Sequence, residues 1–273
     1  MTDTALPTPA SHAAPAPLVF ITGASSGIGQ ALAAHYAAAG YRLALVARRS
    51  AELQAWASAQ GLGPERCRVY GADVAVIDSI VAAGQACLAV QGVPDVVIAN
   101  AGISIGMDSG ERDDLNVMAH TFALNNTGLA ATFHPFIRPM QARGQGTLVG
   151  VASVAAIRGL PGHGAYCASK AAVVAYCESL RGELRGSGVA VVTLLPGYVD
   201  TPLTRQNRYS MPFLMSAPAF ATRAAQAIAA RRSYCVIPWP MGVVVKLLRL
   251  LPNPWFDRLL AGRPRKHRQG AEA

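Results

Sequence analysis

Charge is scarce in this chain of 273 residues: acidic and basic side chains make up 14% of it, against 52% apolar residues. That balance excludes an intrinsically disordered chain and leaves enough apolar material for a sheet buried on both faces. Paired cysteines are also lacking. Cys67, Cys87, Cys167, Cys177 and Cys235 are odd in number, widely spaced and free of any CxxC, so neither a disulfide framework nor a metal site is suggested, and the thiols read as reduced and mostly buried. The first residues lack a basic leader region, carry Asp3 and are broken by Pro7, Pro9, Pro15 and Pro17, which argues against a secretory signal or a membrane span. Residues 1–17 therefore read as a disordered Ala/Pro/Thr-rich arm, 18–240 as one folded domain and 241–273 as an amphipathic extension with a basic tail. The expected localisation is cytoplasmic. Acidic residues are fewer than basic ones, 15 against 24, for a net charge of +9. Of this, +5 comes from the 241–273 segment, with seven Lys or Arg against Asp257 and Glu272. Basicity is thus mostly a property of the tail, and elsewhere a polyphosphate cofactor accommodates a few arginines as readily as nucleic acid does.

From Leu18 onward, short β-branched or aliphatic runs alternate with longer Ala-rich stretches. Strands are predicted at 18–22, 42–47, 67–72, 95–100, 146–152, 189–195 and 233–238. They are continuously apolar rather than alternating, as strands covered on both faces are. Helices are predicted near 27–39, 51–60, 78–91, 115–143, 165–186 and 217–231, several closed by a glycine such as Gly40, Gly61 or Gly92. Strand and helix in alternation imply parallel pairing. The expected fold is α/β: a single doubly wound Rossmann-type domain, with a parallel sheet of about seven strands and helices on both faces. Ligands of such folds sit beyond the carboxyl ends of the strands.

Directly after the first strand the chain reads Thr22-Gly23-Ala24-Ser25-Ser26-Gly27-Ile28-Gly29 and then enters an Ala-rich helix. Glycines permit the tight turn and let backbone N–H groups approach a pyrophosphate, whose charge the helix N-terminus favours. The second strand ends in Ala47-Arg48-Arg49. Where a carboxylate would accept the 2′-hydroxyl of an adenosine ribose, Arg48 offers charge-assisted hydrogen bonds to a 2′-phosphate instead, so NADP(H) is favoured over NAD(H).

Further on, Ser153 follows a buried strand, and Tyr166 and Lys170 stand four apart at the start of a predicted helix, hence on one face. A lysine cation there can lower a tyrosine pKa and make it a usable acid or base. Taken alone, this pair occurs in many helices without function. The sequence as a whole resembles the short-chain dehydrogenase/reductase family from Leu18 to about Ile237. TGASSGIG at 22–29, Asp73-Val74, NAG at 100–102, Asn125 in NNTG, Ser153, YCASK at 166–170 and PGYVDT at 196–201 carry the resemblance, in that order.

The resemblance implies a hydride transfer between NADP(H) and a small carbonyl or alcohol substrate. Tyr166 would exchange the proton, Ser153 would hold the substrate oxygen, and Lys170 would tune Tyr166 and bind the nicotinamide ribose. Asn125 would hold a water that links the lysine to solvent. Gly23, Ser25, Ser26, Gly27, Ile28 and Gly29 would cradle the pyrophosphate, and Asp73 and Val74 would contact the adenine. Asn100, Ala101 and Gly102 would line the cleft, or would cap a strand end. Pro196, Gly197, Val199 and Thr201 would flank the nicotinamide. A homo-oligomer, dimer or tetramer, built through the helices near 115–143 and 165–186, is also implied. A different class of function remains open, a non-catalytic NADP(H)-binding regulator or scaffold, although four intact catalytic positions exceed what a sensor needs.

Two segments fall outside those motifs. LTRQNRYSMPFLMSAP, after PGYVDT, is rich in Met211, Phe213, Leu214 and Met215 and reads either as a lid for an apolar substrate or as ordinary packing on the core. The 241–268 stretch has a broad apolar helical face, but Lys246, Arg249, Pro252, Pro254 and Asp257 interrupt it too often to span a bilayer. It would pack on the domain, on a second subunit or on an anionic membrane surface, the first two being favoured. The basic run from Arg263 to Arg268 is better explained as a solvated tail than as a nucleic-acid site.

Overall fold

Continuously apolar strands need cover on both faces, and the arrangement of the helices supplies it. The computed structural model describes residues 15–205, 207, 210–262 and 268. Most of the arm expected over 1–17, and most of the Arg263 to Arg268 run, thus lie outside the described residues. The strands are β1 (Leu18–Thr22), β2 (Arg42–Ala47), β3 (Cys67–Gly71), β4 (Val96–Ala99), β5 (Gly146–Val151), β6 (Val189–Pro196), the short pair β7 (Val199–Asp200) and β8 (Met215–Ser216), and β9 (Tyr234–Ile237). Seven of them form one parallel sheet in the order β3-β2-β1-β4-β5-β6-β9, while β7 and β8 pair separately. The fold is a single Rossmann-like α/β domain. The seven expected strands match those of the main sheet, and only the β7–β8 pair had no signal, being too short for a periodicity to register.

The two faces of β1 show how the helices divide. Val19 and Ile21 pack with Leu32 of α1 (Gly27–Ala38), Leu53 of α2 (Ser50–Ala59) and, farther along the sheet, Phe220 of α8 (Ala217–Ala229). Leu18 and Phe20 point the other way, into Ile80 of α3 (Ile77–Gln91), Phe136 of α5 (Gly128–Arg143) and Val173 of α6 (Gly164–Glu183). Side chains alternate across a strand, so a run with no polar position must be buried twice. Four of the five cysteines are buried in these layers and Cys235 is half-buried.

One helix departs from expectation. The helix predicted over 115–143 is divided into α4 (Asp114–Phe122) and α5 by a π-helical turn at Ala123–Thr127. Such a turn widens the helix by one residue and is common at functional sites. Here it carries Asn125 inward, and Gly128, just after it, passes so close to Val74 that a Cβ would lie 2.3 Å from the Val74 carbonyl oxygen.

Strand order reverses between β1 and β4, which both leave the sheet at the same edge of a crevice. The turns after them, Thr22-Gly23 and Asn100-Ala101, are therefore neighbours. Of the other segments singled out for chemistry, those with Ser153, Tyr166 and Lys170 and with PGYVDT follow β5 and β6, the arginines follow β2, Asp73-Val74 follow β3, and Asn125 comes from the π-turn after β4.

Candidate active site

The glycine turn is held by its neighbour from β4. The Asn100 side chain donates to the Thr22 carbonyl at 3.0 Å and the Gly23 carbonyl at 3.3 Å, and the Asn100 and Ala101 backbone N–H groups donate to Thr22 Oγ1 at 3.1 and 3.2 Å. The Asn100 amide is thus spent on shaping the turn, while its backbone and those of Ala101 and Gly102 line the cleft. Gly23 has a φ of +66°, and a Cβ on Gly29 would stand 2.2 Å from the Gly23 carbonyl oxygen. Only with bare glycines can α1 begin this close to β1, leaving its N-terminal N–H groups open to an anion. A dinucleotide pyrophosphate fits such a cradle.

The cleft has a volume of about 640 Å³. Gly23, Ser25, Ser26, Gly27, Ile28, Arg48, Asp73 and Val74 line one half, and Ser153, Tyr166, Lys170, Pro196, Gly197, Val199 and Thr201 the other, with Asn100 to Gly102 between. Of the residues expected at the site, Gly29 and Asn125 stand behind the wall rather than in it. The lining also includes residues the sequence reading did not single out, among them Arg49, Ile103, Leu124 and Thr204. Arg49 pairs with Glu52 at 3.2 Å on the exposed start of α2, which distinguishes it from Arg48. Thr204 is a local brace: its hydroxyl accepts the Thr201 N–H at 3.0 Å and donates to the Val199 carbonyl at 2.5 Å.

Among the groups expected to react, burial dominates. The Tyr166 phenol is pushed above its ordinary pKa by desolvation, partly offset by a hydrogen bond with the Ser153 side chain. The expected lowering by Lys170 does not win. Its ammonium lies 5.9 Å from the centre of the Tyr166 ring and donates to the Val151 carbonyl at 2.9 Å. Burial also pulls Lys170 itself down to about 8. Ser153 caps the short 3₁₀ turn Val154–Ala156 by accepting the Ala155 N–H at 3.2 Å, which fixes its hydroxyl at the end of β5.

Asn125 is 1% exposed and its amide is hydrogen-bonded at both the oxygen and the nitrogen. Its Oδ1 accepts the Ile103 N–H at 2.9 Å, and its Nδ2 donates to the Ile103 carbonyl at 3.0 Å and to Ser169 Oγ at 2.9 Å. The side chain is therefore a tie between the 100–103 turn, the π-turn and α6. A Cβ on Gly102 would meet both Lys170 Nζ, at 3.2 Å, and Asn125 Oδ1, at 3.3 Å, so the three residues crowd one point.

Two arginines make long-range contacts: Arg158, which sequence reasoning passed over, and Arg268, which it read as the end of a solvated tail and which is instead ion-paired. Arg158 lies between Ser153 and Tyr166 in the chain and grips the C-terminal extension, donating to the carbonyls of Leu248 and, at 2.8 Å, Leu251. Arg268 reaches Asp114 at 2.7 Å, and that carboxylate also accepts the Asp108 N–H at 2.6 Å. These partners are far apart in sequence, and no local pattern announces them. In the lid segment, whose residues 206, 208 and 209 lie outside the described set, Phe213 and Leu214 are exposed while Met215 packs on the core. The reading as ordinary packing on the core thus holds for Met215.

A family model described as short chain dehydrogenase matches residues 17–211. An uncharacterized oxidoreductase of Myxococcus xanthus is 38% identical over 240 residues, which cover 87% of this chain and 93% of that protein. A solved short-chain dehydrogenase from Sphingobium yanoikuyae, in complex with NADPH, aligns with a TM-score of 0.74 at 25% identity, over 94% of this chain and 98% of that one. One from Burkholderia phymatum, in complex with NAD, aligns with a TM-score of 0.77 at 24% identity over the same shares. Two similar folds carry different nicotinamide dinucleotides, so choice between them lies in side chains rather than in the fold.

Proposed function

The chain belongs to the short-chain dehydrogenase family of oxidoreductases, and from that membership we propose that it reduces a small apolar carbonyl compound with NADPH, Tyr166 giving the proton. The observation that supports this best is that Ser153, Tyr166 and the buried Lys170 together line the cleft opened by the glycine turn. Burial keeps the phenol protonated through the neutral range, ready to give its proton to a carbonyl oxygen. Ser153 orients that oxygen. The Lys170 cation steadies the phenolate left behind. Asn125 acts at one remove, as a positioning residue that keeps the 100–103 turn against α6. The nicotinamide, when bound, supplies the hydride. The glycine turn would hold the pyrophosphate, Asp73 and Val74 the adenine, and Pro196, Gly197, Val199 and Thr201 the nicotinamide end. Consumption of NADPH, followed against a panel of aldehydes, ketones, quinones and sterols, tests the reading. Tight NADPH binding with no turnover of any of them would sink it.

Arg48 is the group proposed to choose the cofactor. Charge-assisted hydrogen bonds contribute about 1.5–3 kcal/mol each, so Arg48→Ala is expected to raise the Kd for NADPH by about ten- to a hundredfold and to leave that for NADH unchanged. Direct titration of both dinucleotides measures it, and an unaltered preference would mean the phosphate ligand lies elsewhere.

Lys170 sets the expected pH dependence. Its pKa is lowered to about 8 by burial, so the cation is present below that pH and lost above it, while Tyr166, raised, keeps its proton past the same point. Reductive kcat/KM should be level at neutral pH and fall above pH 8 by about tenfold per unit. A profile still level well above pH 8 would remove Lys170 from the proposed role.

A further inference from the structure

The C-terminal extension folds as two helices, α9 (Trp239–Leu250) and α10 (Asn253–Leu260), each buried along one side only. Met241 and Gly242 face the domain, and a Cβ on Gly242 would touch Val236 of β9 at 3.1 Å, so α9 lies directly on the sheet edge. At the turn into α10, Arg158 binds the Leu251 carbonyl and, at 3.1 Å, Asn253 Oδ1, and its guanidinium stacks 3.7 Å above the buried Phe256 ring. The expectation that the extension packs on the domain is thus met by this side. It leaves the opposite side unexplained.

That opposite side is apolar. Trp239, Val243, Leu247 and Leu250 follow at the spacing of one helical ridge, and Trp239 is 74% and Leu250 79% exposed. On α10, Trp255, 70% exposed, and Leu259 stand one turn apart. Two of the three tryptophans of the chain are therefore displayed here. Lys246 and Arg249 flank the α9 ridge and Arg258 lies on α10, while Asp257 is the sole carboxylate of the two helices. Exposed apolar residues in a row along a helix mark an interaction surface.

We propose that this face docks on an anionic lipid surface. Aromatic and aliphatic side chains beside lysine and arginine are the composition of a helix lying at the boundary between headgroups and acyl chains. Among the described residues no helix is long and apolar enough to cross a membrane, so the contact is peripheral. A second copy of the chain is disfavoured by charge: across a two-fold interface the same patch meets itself, and cations would oppose cations.

Sedimentation of the full chain with phosphatidylcholine vesicles, with and without added phosphatidylglycerol, tests the proposal, together with tryptophan emission. The protein should pellet with the anionic vesicles and not with the neutral ones, and its emission should shift to the blue as Trp239 and Trp255 leave water. Partitioning should fall by at least about fivefold per position in Lys246→Glu/Arg249→Glu, where each change removes a cation and adds an anion, and by at least about tenfold in Leu247→Gln/Leu250→Gln/Trp255→Gln. All these positions are exposed, so NADPH binding of both variants should match the parent and report an intact fold. Equal pelleting with and without anionic lipid would overturn the proposal, as would undiminished binding of the apolar variant. So would association of the parent without lipid that the apolar variant abolishes, since the surface would then belong to a second copy.

Discussion

Tyr166→Phe should lower kcat/KM for carbonyl reduction by about a hundred- to ten-thousandfold, the range that a positioned general acid contributes, or roughly 3–5 kcal/mol of barrier. The substitution removes one oxygen and keeps the ring, so the packing at the start of α6 is preserved. What is lost is the phenol that, among the described residues, is the only one in the cleft lining. Lys170 cannot take over, because its ammonium is turned to the Val151 carbonyl at 2.9 Å. NADPH affinity should be unaltered, since the glycine turn and Arg48 are untouched. Steady-state rates beside a direct NADPH titration separate the two effects. Full activity in the variant would remove Tyr166 from the proton path, whereas joint loss of rate and affinity would point to collapse of the cleft.

Gly29→Ala should be the most damaging of the conservative changes outside the groups proposed to react. The new methyl would stand 2.2 Å from the Gly23 carbonyl oxygen and 2.6 Å from Asn100 Nδ2. Both are fixed, the first as backbone and the second by its own hydrogen bonds to Thr22 and Gly23. The start of α1 must therefore move away from the turn. Overpacking of this kind costs about 3 kcal/mol at its upper end, which lowers Tm by roughly 6–12 °C in a domain of this size. The displaced N–H groups would also hold a pyrophosphate poorly, and loss of one charge-assisted hydrogen bond lowers affinity for NADPH by about ten- to a hundredfold. Gly182→Ala in α6 is the control, because a Cβ there meets nothing within 4 Å. Thermal melts and dinucleotide titrations of both variants check the prediction, and a Gly29→Ala protein as stable as the control would show that the turn yields more easily than its contacts imply.

The strand positions and the sidedness of the sheet were legible in the chain because burial on both faces leaves an unbroken apolar run, as in LVFIT or VAVVTLL. The glycine turn was legible for a related reason: a backbone that approaches so closely, with φ of +66° at Gly23, admits almost no other residue type. Asn125 illustrates the opposite case. Its place in the motif order was visible, but its partners were not, because Ile103 and Ser169 are brought to it only by the π-turn and the packing of α6. The same holds for Lys170 and Tyr166, whose spacing suggested a cation lowering a phenol. Their environment decides otherwise, since desolvation acts on both groups and is set by every neighbour at once.

By itself, then, the sequence determined the α/β architecture, the family and the identity of the residues gathered at the carboxyl ends of the strands, because each depends on local periodicity or on a short ordered motif. Tertiary structure alone decided which of those residues face the cleft and which stand behind it, the raised phenol of Tyr166, the grip of Arg158 on the extension and the exposed ridge from Trp239 to Leu250. These depend on contacts between segments distant in the chain, where burial and electrostatics are summed over neighbours that no local pattern encodes.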